Sequence, residues 1–330
     1  MKIGITGCTS GLGKRLAELL LASGHRGIKA LVRKTSNIAD LPQDGMQFVY
    51  GDVREDGSLA SFVKNIDILF HLAAQVDHAT KDVFYEVNVE GTEKVCKAIL
   101  KYNPGCRMIY CSTISILKVN PLFKVKSSPY AISKYYAERK VLEYMGKGLK
   151  ATIIYPGIIY GCYAKNLVSQ AIKMVQSGKI KKIKGGEKGA PLIYVDELCD
   201  LFIRAAISEK TVGRRYISVK GLEAGIHDLI EIIAREIGFK GIADKVYPRL
   251  PLFVFSILAG FFCRLFNKKI TYDKSLVNRL SINMKNVNPY GKKYDDPKED
   301  LNWEQDTSRE FLIKKVGQVI EWLKANSNKK

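Results

Sequence analysis

Short apolar, β-like runs alternate with longer stretches of helical period through the first half of the chain. The strand-like runs are residues 2–6, 28–33, 46–50, 67–72, 107–112 and 151–155, and the helical stretches include 81–102 and 130–144. Strands and helices of these lengths in alternation build a parallel sheet covered on both faces and joined by right-handed crossovers. The expected fold class is therefore α/β, a doubly wound parallel sheet. Ligands in such sheets bind beyond the carboxyl ends of the strands, so the residues that follow each strand carry the chemistry.

The first such junction lies in MKIGITGCTSGLGKRLAELL, residues 1–20. Its strand stops at Gly7, a turn holds Ser10, Gly11 and Gly13, and Leu12, Leu16, Leu19 and Leu20 recur at helical spacing. Glycine admits the positive φ of a tight turn, and a missing Cβ lets a phosphate approach the backbone. The helix start then aims free N–H groups and its positive dipole end at that phosphate. A glycine turn that merely joins strand to helix is the plainer alternative. The setting between a strand and a long amphipathic helix favours a dinucleotide site of Rossmann type. A nucleoside-triphosphatase loop is excluded, because Gly13-Lys14 is followed by Arg15 rather than a hydroxyl residue.

The second strand leads into Arg33-Lys34 with no carboxylate nearby. A free ribose 2′-OH is usually met there by an acid and a 2′-phosphate by arginine, so NADP is expected over NAD. The third strand ends in Tyr50-Gly51-Asp52-Val53, where Asp52 either accepts from the adenine amino group or caps a helix beginning near Asp56. The fourth ends in His71-Leu72-Ala73-Ala74, small residues across which a cofactor can lie flat, with His71 read as a packed strand-end residue. Asn88 falls in mid-helix, where its amide needs a partner and would brace backbone beside the site.

The fifth strand delivers Ser112 and Thr113 to the sheet edge, and Ser128-Pro129-Tyr130-Ala131-Ile132-Ser133-Lys134 follows. Pro129 suits a helix start, and Tyr130 and Lys134 then stand one turn apart on one face. An ammonium beside a phenol favours phenolate, and a hydroxyl from Ser112 or Thr113 could hold a substrate oxygen next to it. Such a group performs acid/base chemistry on an alcohol or ketone beside a nicotinamide. Tyr-x-x-x-Lys also occurs at Tyr136/Lys140, Tyr216/Lys220 and Tyr294/Lys298, but only Tyr130/Lys134 follows a strand-end hydroxyl pair.

TGCTSGLG, GDV, HLAA, NVEGT, CST, PYAISK and YPGIIYG occur in the order found in extended short-chain dehydrogenase/reductases. The chain resembles most the branch with nucleotide-sugar epimerases and dehydratases, dihydroflavonol reductases and 3β-hydroxysteroid dehydrogenases, over residues 1 to about 206. The resemblance implies Tyr130 as acid/base, Lys134 as its pKa partner and ribose clamp, and Thr113 rather than Ser112 as the substrate-positioning hydroxyl. The full expected cofactor set is Gly7, Ser10, Gly11, Leu12, Gly13, Arg33, Asp52, Val53, Leu72, Ala73, Ala74, Asn88, Tyr130, Lys134, Pro156 and Gly157, with no metal. Three departures from the family pattern stand out. Ser10 replaces a usual glycine, Tyr155 of the YPG motif stands where arginine is common, and only 16 residues separate Thr113 from Tyr130.

Beyond Cys162 the chain leaves the sheet and returns near residues 192–196, where Asp196 is expected to cap a helix over 197–207, and 215–219 reads as a further strand. Residues 1–161 and 191–221 are assigned to the dinucleotide-binding domain, and 162–190 with 222–330 to a smaller, sequence-discontinuous C-terminal substrate lobe. That lobe contains LPLFVFSILAGFFCRLF, residues 250–266, flanked by Arg249, Lys268 and Lys269. It is short for a membrane span, and three roles compete: a buried lobe helix, an apolar lid over the substrate, or an interfacial helix on anionic lipid. Residues 311–323, with Phe311, Ile313, Val316, Val319, Ile320 and Leu323, read as an amphipathic helix.

The 330 residues suffice for a large core, and 46% hydrophobic content is ordinary for a globular protein. Seven scattered cysteines without a C-x-x-C pair fit buried small side chains in a reducing compartment, and no signal-peptide layout is legible, so a cytoplasmic protein, or one peripheral at the membrane surface, is expected. The net charge of +20 invites anionic partners, yet no nucleic-acid motif is present and no specific nucleic acid is expected. The expected partners are a small-molecule substrate, an anionic membrane through 250–266 and a second copy of the chain in a homodimer. The expected function is an NAD(P)-dependent oxidoreductase acting at a carbinol or ketone carbon of an apolar-bodied substrate of sterol, flavonoid or lipid type. A nucleotide-sugar epimerase or dehydratase with tightly held NAD is the first alternative, and a non-catalytic cofactor-sensing or RNA-associated protein the second.

Overall fold

The computed structural model describes residues 1–76, 79–119, 128–163, 168–178, 180–241, 246–248 and 294–326. The segment 250–266 and Cys263 lie outside the described residues. The chain divides into two compact units. The first holds Met1–Gly157, Ile193–Ser218 and, of the described residues, 294–304; the second holds Ile158–Leu192 and the described parts of 219–248 and 305–326.

The first unit is built on a seven-stranded, wholly parallel sheet. Its strands are β1 (Ile3–Thr6), β2 (Ile28–Val32), β3 (Met46–Tyr50), β4 (Ile68–His71), β5 (Arg107–Cys111), β6 (Ala151–Tyr155) and, after the three short strands β7 (Ile158–Tyr160), β8 (Lys182–Ile183) and β9 (Leu192–Tyr194) outside this sheet, β10 (Arg215–Ile217). The spatial order is β10-β6-β5-β4-β1-β2-β3, with Thr6 opposite both Leu31 and His71 and with Tyr110 opposite Ile153. Every residue of β1, β4 and β6 is buried, as a parallel sheet covered on both faces requires. The order of building reverses between β1 and β4, and a sheet of this kind opens a crevice beyond the strand ends at such a point.

Two glycines let that crevice form. Gly7 ends β1 at φ +76°, and a Cβ there would lie 2.6 Å from the Ala73 nitrogen. The helix α1 (Gly11–Ala22) carries Gly13 in its first turn, where a Cβ would stand 2.3 Å from the Gly7 oxygen. Ser10 caps this helix, its Oγ accepting from the Gly13 N–H at 3.0 Å. The amphipathic pattern then buries Leu16, Ala17 and Leu20.

The 81–102 stretch is helical throughout but changes pitch. α3 (Lys81–Tyr85) passes into a π-helical turn over Glu86–Glu90 before α4 (Gly91–Tyr102) resumes. Gly91 lets α4 come close to the loop after β3, since a Cβ there would lie 2.8 Å from the Val53 side chain. The next helix, α5 (Pro129–Met145), is capped by Ser128 and has Pro129 in its first turn.

Two capping expectations are corrected. α2 (Asp56–Phe62) has Glu55 at its cap, and Asp52 instead folds its carboxylate onto the Arg54 N–H at 2.9 Å. Likewise α7 (Val195–Ile207) begins one residue before Asp196 with Tyr194 at the cap. Asp196 thus stands inside the first turn, where its two oxygens take Arg15 of α1 at 2.7 and 2.9 Å. That carboxylate suits the helix dipole and joins two helices, which a cap residue would not do. The strand expected over 215–219 is shorter, and the Asp295 backbone bridges to it, its N–H donating to Arg215 O at 2.9 Å.

In the second unit β8 (Lys182–Ile183) pairs in parallel with β11 (Val246–Tyr247). The helices α6 (Val168–Gln176), α8 (Ile226–Glu236) and α10 (Arg309–Asn326) pack on one another. The short α9 (Pro297–Leu301) precedes α10 and belongs to the first unit. α10 buries Leu312, Val316, Val319 and Ile320, so its inward stripe runs through Leu312 where Phe311 and Ile313 were expected. Among the described residues no helix is long and apolar enough to cross a membrane.

The close approach at Gly13 sets a stability test. Gly13→Ala is expected to cost about 1–3 kcal/mol, read as a lower urea midpoint, because the added methyl meets backbone that cannot step aside. Gly57→Ala is the control, since a Cβ there has nothing within 4 Å and alanine favours the helix by about 0.5–1 kcal/mol. A Gly13→Ala protein as stable as the parent would show that the turn and helix are not packed in this way.

Candidate active site

The ends of β1, β2, β3 and β4 surround a cavity of about 210 Å³. Of the expected cofactor residues, Gly7, Ser10, Arg33, Asp52, Val53, Leu72, Ala73 and Ala74 line it. Thr9, Ser36, Gln75 and Val87 also line it and were not anticipated. At the start of α1 the Ser10 N–H bonds to Gly7 O and the Gly13 N–H to Ser10 Oγ. A helix cannot satisfy its first N–H groups itself, so those of Gly11 and Leu12 are left for an outside acceptor among the described residues. Ser36 stands in the turn after β2, its N–H donating to Arg33 O at 2.9 Å.

Asp52 faces this cavity in a defined electrostatic state. Arg54 grips it through Nε on Oδ1 at 3.0 Å and Nη2 on Oδ2 at 2.9 Å. Burial works to raise the Asp52 pKa, but the hydrogen bonds and charge of Arg54, with Arg33 adding to them, hold the carboxylate below its ordinary value. The lining therefore offers the glycine turn ahead of α1, a cation and a hydroxyl after β2, and small residues beyond β4; Gly11, Leu12 and Gly13 follow that turn and do not line the cavity. That donor set fits a dinucleotide.

The tip of β5 is the second half of the site. Lys134, only 2% exposed, donates from Nζ to the Cys111 carbonyl at 2.7 Å and lies 4.3 Å from the Tyr110 ring centroid. Burial lowers its pKa to about 8, against the opposing pull of Cys111 and Glu138. Ser112 Oγ donates to Glu138 Oε2 at 2.9 Å, so the nearer hydroxyl of the pair is committed to the helix. Thr113 caps the 3₁₀ turn Ile114–Lys118, its Oγ1 accepting from the Ser115 N–H at 3.2 Å. Tyr130 opens the same helix as Lys134, with Phe84 of α3 packed at a ring separation of 6.4 Å. Pro156 O accepts from the Ile114 N–H at 3.0 Å, which fixes the YPG turn beside this tip; Gly157 follows it.

Between the two halves stands Asn88, in the π-helical turn and buried. Its Oδ1 accepts from the Gln75 N–H at 2.7 Å, and its Nδ2 donates to Gln75 O at 3.0 Å and to Ser133 Oγ at 2.9 Å. The amide thus spends one acceptor and two donors tying the loop after β4 to α5. Asn88 braces backbone, as expected, and does not line the cavity.

His71 is fully buried at the end of β4, bonded through Nδ1 to Thr6 Oγ1 at 2.7 Å and through Nε2 to Thr92 Oγ1 at 3.0 Å. Burial, and secondarily the Lys134 charge, lower its pKa to about 3. A histidine held neutral in this way is a packing residue rather than an acid or base. The rival Tyr-x-x-x-Lys pairs are occupied elsewhere. Lys140 pairs with Glu93 at 3.3 Å, Tyr216 donates to Asp300 Oδ2 at 2.6 Å, and Tyr294 meets the Tyr155 ring edge-on at 4.8 Å.

Residues 3–217 match the model of the NAD dependent epimerase/dehydratase family. Among curated relatives, a 4-hydroxy-2-methyl-3-oxo-4-farnesyl-3,4-dihydroquinoline-1-oxide ketoreductase of Stigmatella aurantiaca is 26% identical over 251 residues, covering 73% of this chain and 74% of that protein. An N-acetyl-alpha-D-glucosaminyl-diphospho-ditrans,octacis-undecaprenol 4-epimerase of Escherichia coli O157:H7 is 25% identical over 292 residues, covering 84% and 83%. Among solved structures, gox2253 superposes with a TM-score of 0.73 at 22% identity, covering 98% of each chain, a likeness of fold.

The His71 environment makes stability depend on acid. Unfolded histidine takes a proton below about 6.5, whereas folded His71 refuses one until about 3. Stability is therefore present above the unfolded value and lost as pH falls, at up to about 1.4 kcal/mol per pH unit across that window. Urea unfolding at pH 6.5 and 4.5 should show a larger loss for the parent than for His71→Gln. Equal losses in the two proteins would mean that His71 is not held neutral.

Proposed function

This chain belongs to the NAD dependent epimerase/dehydratase family, and we propose that it works there as an NAD(P)-dependent oxidoreductase on the ketone or carbinol carbon of an apolar-bodied substrate. The observation that supports the chemistry is Lys134, buried one turn beyond Tyr130 on α5 and bonded to the Cys111 carbonyl two residues before Thr113. The nicotinamide cofactor, when bound, supplies or accepts the hydride. Tyr130 gives its phenolic proton to the carbonyl oxygen in reduction, or takes it back in oxidation. The Lys134 ammonium favours the phenolate that Tyr130 becomes. Thr113, the next residue of the tip, holds the substrate oxygen while Ser112 is bound to Glu138.

Gly7, Ser10, Gly11, Leu12 and Gly13 would hold the diphosphate, and Asp52 with Val53 the adenine. Arg33 and the Ser36 hydroxyl are the groups suited to a 2′-phosphate, and both line the cavity. Because Arg54 already neutralises Asp52, its carboxylate is a weak obstacle to that phosphate. This supports a preference for NADP. Apolar substrates are supported by Phe84 packed on Tyr130 and by the absence of acidic residues between Thr113 and Tyr130. The similarity to a ketoreductase of a farnesylated quinoline points the same way. The second reading, a sugar 4-epimerase using the same three residues, is supported by the similarity to an undecaprenol-linked epimerase.

Tyr130→Phe keeps the ring and removes the proton, so turnover should fall about 10²-fold or more with cofactor affinity little changed. Near-full activity in that variant, on a ketone the parent reduces, would remove Tyr130 as the acid/base. For the cofactor, fluorescence titration should find NADPH bound more tightly than NADH, and Arg33→Ala should erase at least about tenfold of that preference. An NADH preference that survives Arg33→Ala favours the epimerase. A panel of prenylated, sterol and flavonoid ketones against nucleotide sugars separates the two readings by which class turns over.

A further inference from the structure

The buried charge that this reading leaves unused is Glu138. It is 8% exposed and sits on α5 one turn beyond Lys134, which is itself one turn beyond Tyr130. Residues four apart share a helix face, so the acid/base tyrosine, the lysine and the glutamate form one ladder. Its rungs meet consecutive residues of one strand tip. Lys134 takes the Cys111 carbonyl at 2.7 Å, Glu138 takes the Ser112 hydroxyl at 2.9 Å, and the next residue is Thr113.

We propose that Glu138 is the positioning residue of the active site: it holds the Ser112 hydroxyl, and with it the strand end that presents Thr113, and it is the buried counter-charge of Lys134. The proposal rests on the assignment of Lys134 and Tyr130 made above. Three phenols from other elements lie within the electrostatic reach of Glu138. From β5 comes Tyr110, from β6 Tyr155, and from the segment before α9 Tyr294, and Glu138 bears electrostatically on all three. Burial keeps these phenols protonated, with Tyr294 raised to about 12 and the other two pushed higher, so none can neutralise a carboxylate. The Tyr155 hydroxyl feels that charge yet has no hydrogen bond of normal geometry among the described residues. Arg215 of β10 reaches the cluster through the Tyr294 ring, 5.5 Å from its centroid.

The replacement of the family's common arginine by Tyr155 thus acquires a consequence. An arginine at that place would offer Glu138 a second cation from the sheet. A phenol offers none there, and the charge of Glu138 also bears on Lys134, whose affinity for its proton it raises against the cost of burial. Removing that charge should make Lys134 lose its proton at lower pH.

NADPH is the probe, titrated by fluorescence between pH 6 and 10 into the full-length protein, with thermal melts to confirm folding. The parent should lose affinity as pH rises through the Lys134 midpoint near 8. Lys134→Met should abolish that dependence. Glu138→Gln, which can still accept from Ser112, should move the midpoint down by about one pH unit or more. Glu138→Asp, which withdraws the charge by one methylene, should move it the same way by less and serves if the glutamine variant does not fold. Ser112→Ala should leave the midpoint in place while kcat on a ketone found in the panel falls, as expected if the hydroxyl aims Thr113. A dependence lost in Lys134→Met but unmoved in both Glu138 variants overturns the role of Glu138 alone. A dependence that persists in Lys134→Met overturns the Lys134 assignment and the proposal with it.

Discussion

The site depends on a contact between backbones that two side chains would prevent. Gly7 passes close enough to Ala73 that a methyl would sit 2.6 Å from its nitrogen, and Gly13 presses on the Gly7 carbonyl. This lets α1 begin directly over the end of β1, beside the end of β4, where the sheet order reverses. The Thr6 hydroxyl completes the joint, meeting His71 and the Ala73 N–H at 2.7 and 3.3 Å. Move α1 outward by the width of one methyl and its start no longer sits against the end of β1. Specificity for a phosphate here is a matter of what is missing from the chain, because donors belonging to the backbone can be brought close only where no Cβ intervenes.

The other half of the site uses the reverse strategy, long polar side chains driven deep. Lys134 and Glu138 reach from α5 to two successive residues of β5, and Asn88 reaches from the π-helical turn to α5 and to the loop after β4. Burying an unpaired charge costs far more than burying a paired and hydrogen-bonded one, so each of these groups is tolerable only while its partners stay in place. The arrangement is therefore rigid by mutual need: strand tip, helix and turn each satisfy a polar group that another has brought inside. A π-helical turn suits this task because its wider pitch re-aims one side chain without ending the helix.

The alternation of runs made the sheet legible, and strand ends came within one or two residues because Gly7, Gly51 and the small residues after His71 mark them. The ladder of α5 was legible as spacing, with Ser128 and Pro129 announcing its start. What escaped were features fixed by partners distant in sequence. Asp196 read as a cap, and Asp52 as a cap or an adenine acceptor, since an acid before a helix is the common local signal; Arg15, 181 residues from Asp196, and Arg54 pair with them. Nothing local marks Glu138 for burial; its partner Ser112 is brought against it by the sheet. Ser36 and Gln75 enter the cavity through the path of their loops, which no periodicity encodes. The π-helical turn left no mark either, because its apolar spacing passes for ordinary helix over five residues.

The overall charge and the local one carry different information. A surplus of twenty positive charges over 330 residues draws anions toward the molecule without choosing among them, and salt screens it over about 8–10 Å. At the cavity the charges are few and placed: Arg33 and Asp52 line it, and Arg54 pairs with Asp52 from beside it. Arg54 binds Asp52 through both oxygens, which leaves Arg33 as the cation still available beside the Ser36 hydroxyl. Were Asp52 unpaired, its charge would oppose a second phosphate at this edge and draw Arg33 toward itself. The pairing also keeps Asp52 ionised, so its acceptors stay fixed for a neutral donor such as an amino group. Recognition of an added phosphate and of an uncharged base can thus coexist within one cavity, provided that the carboxylate is satisfied by an arginine that is not the one meeting the phosphate.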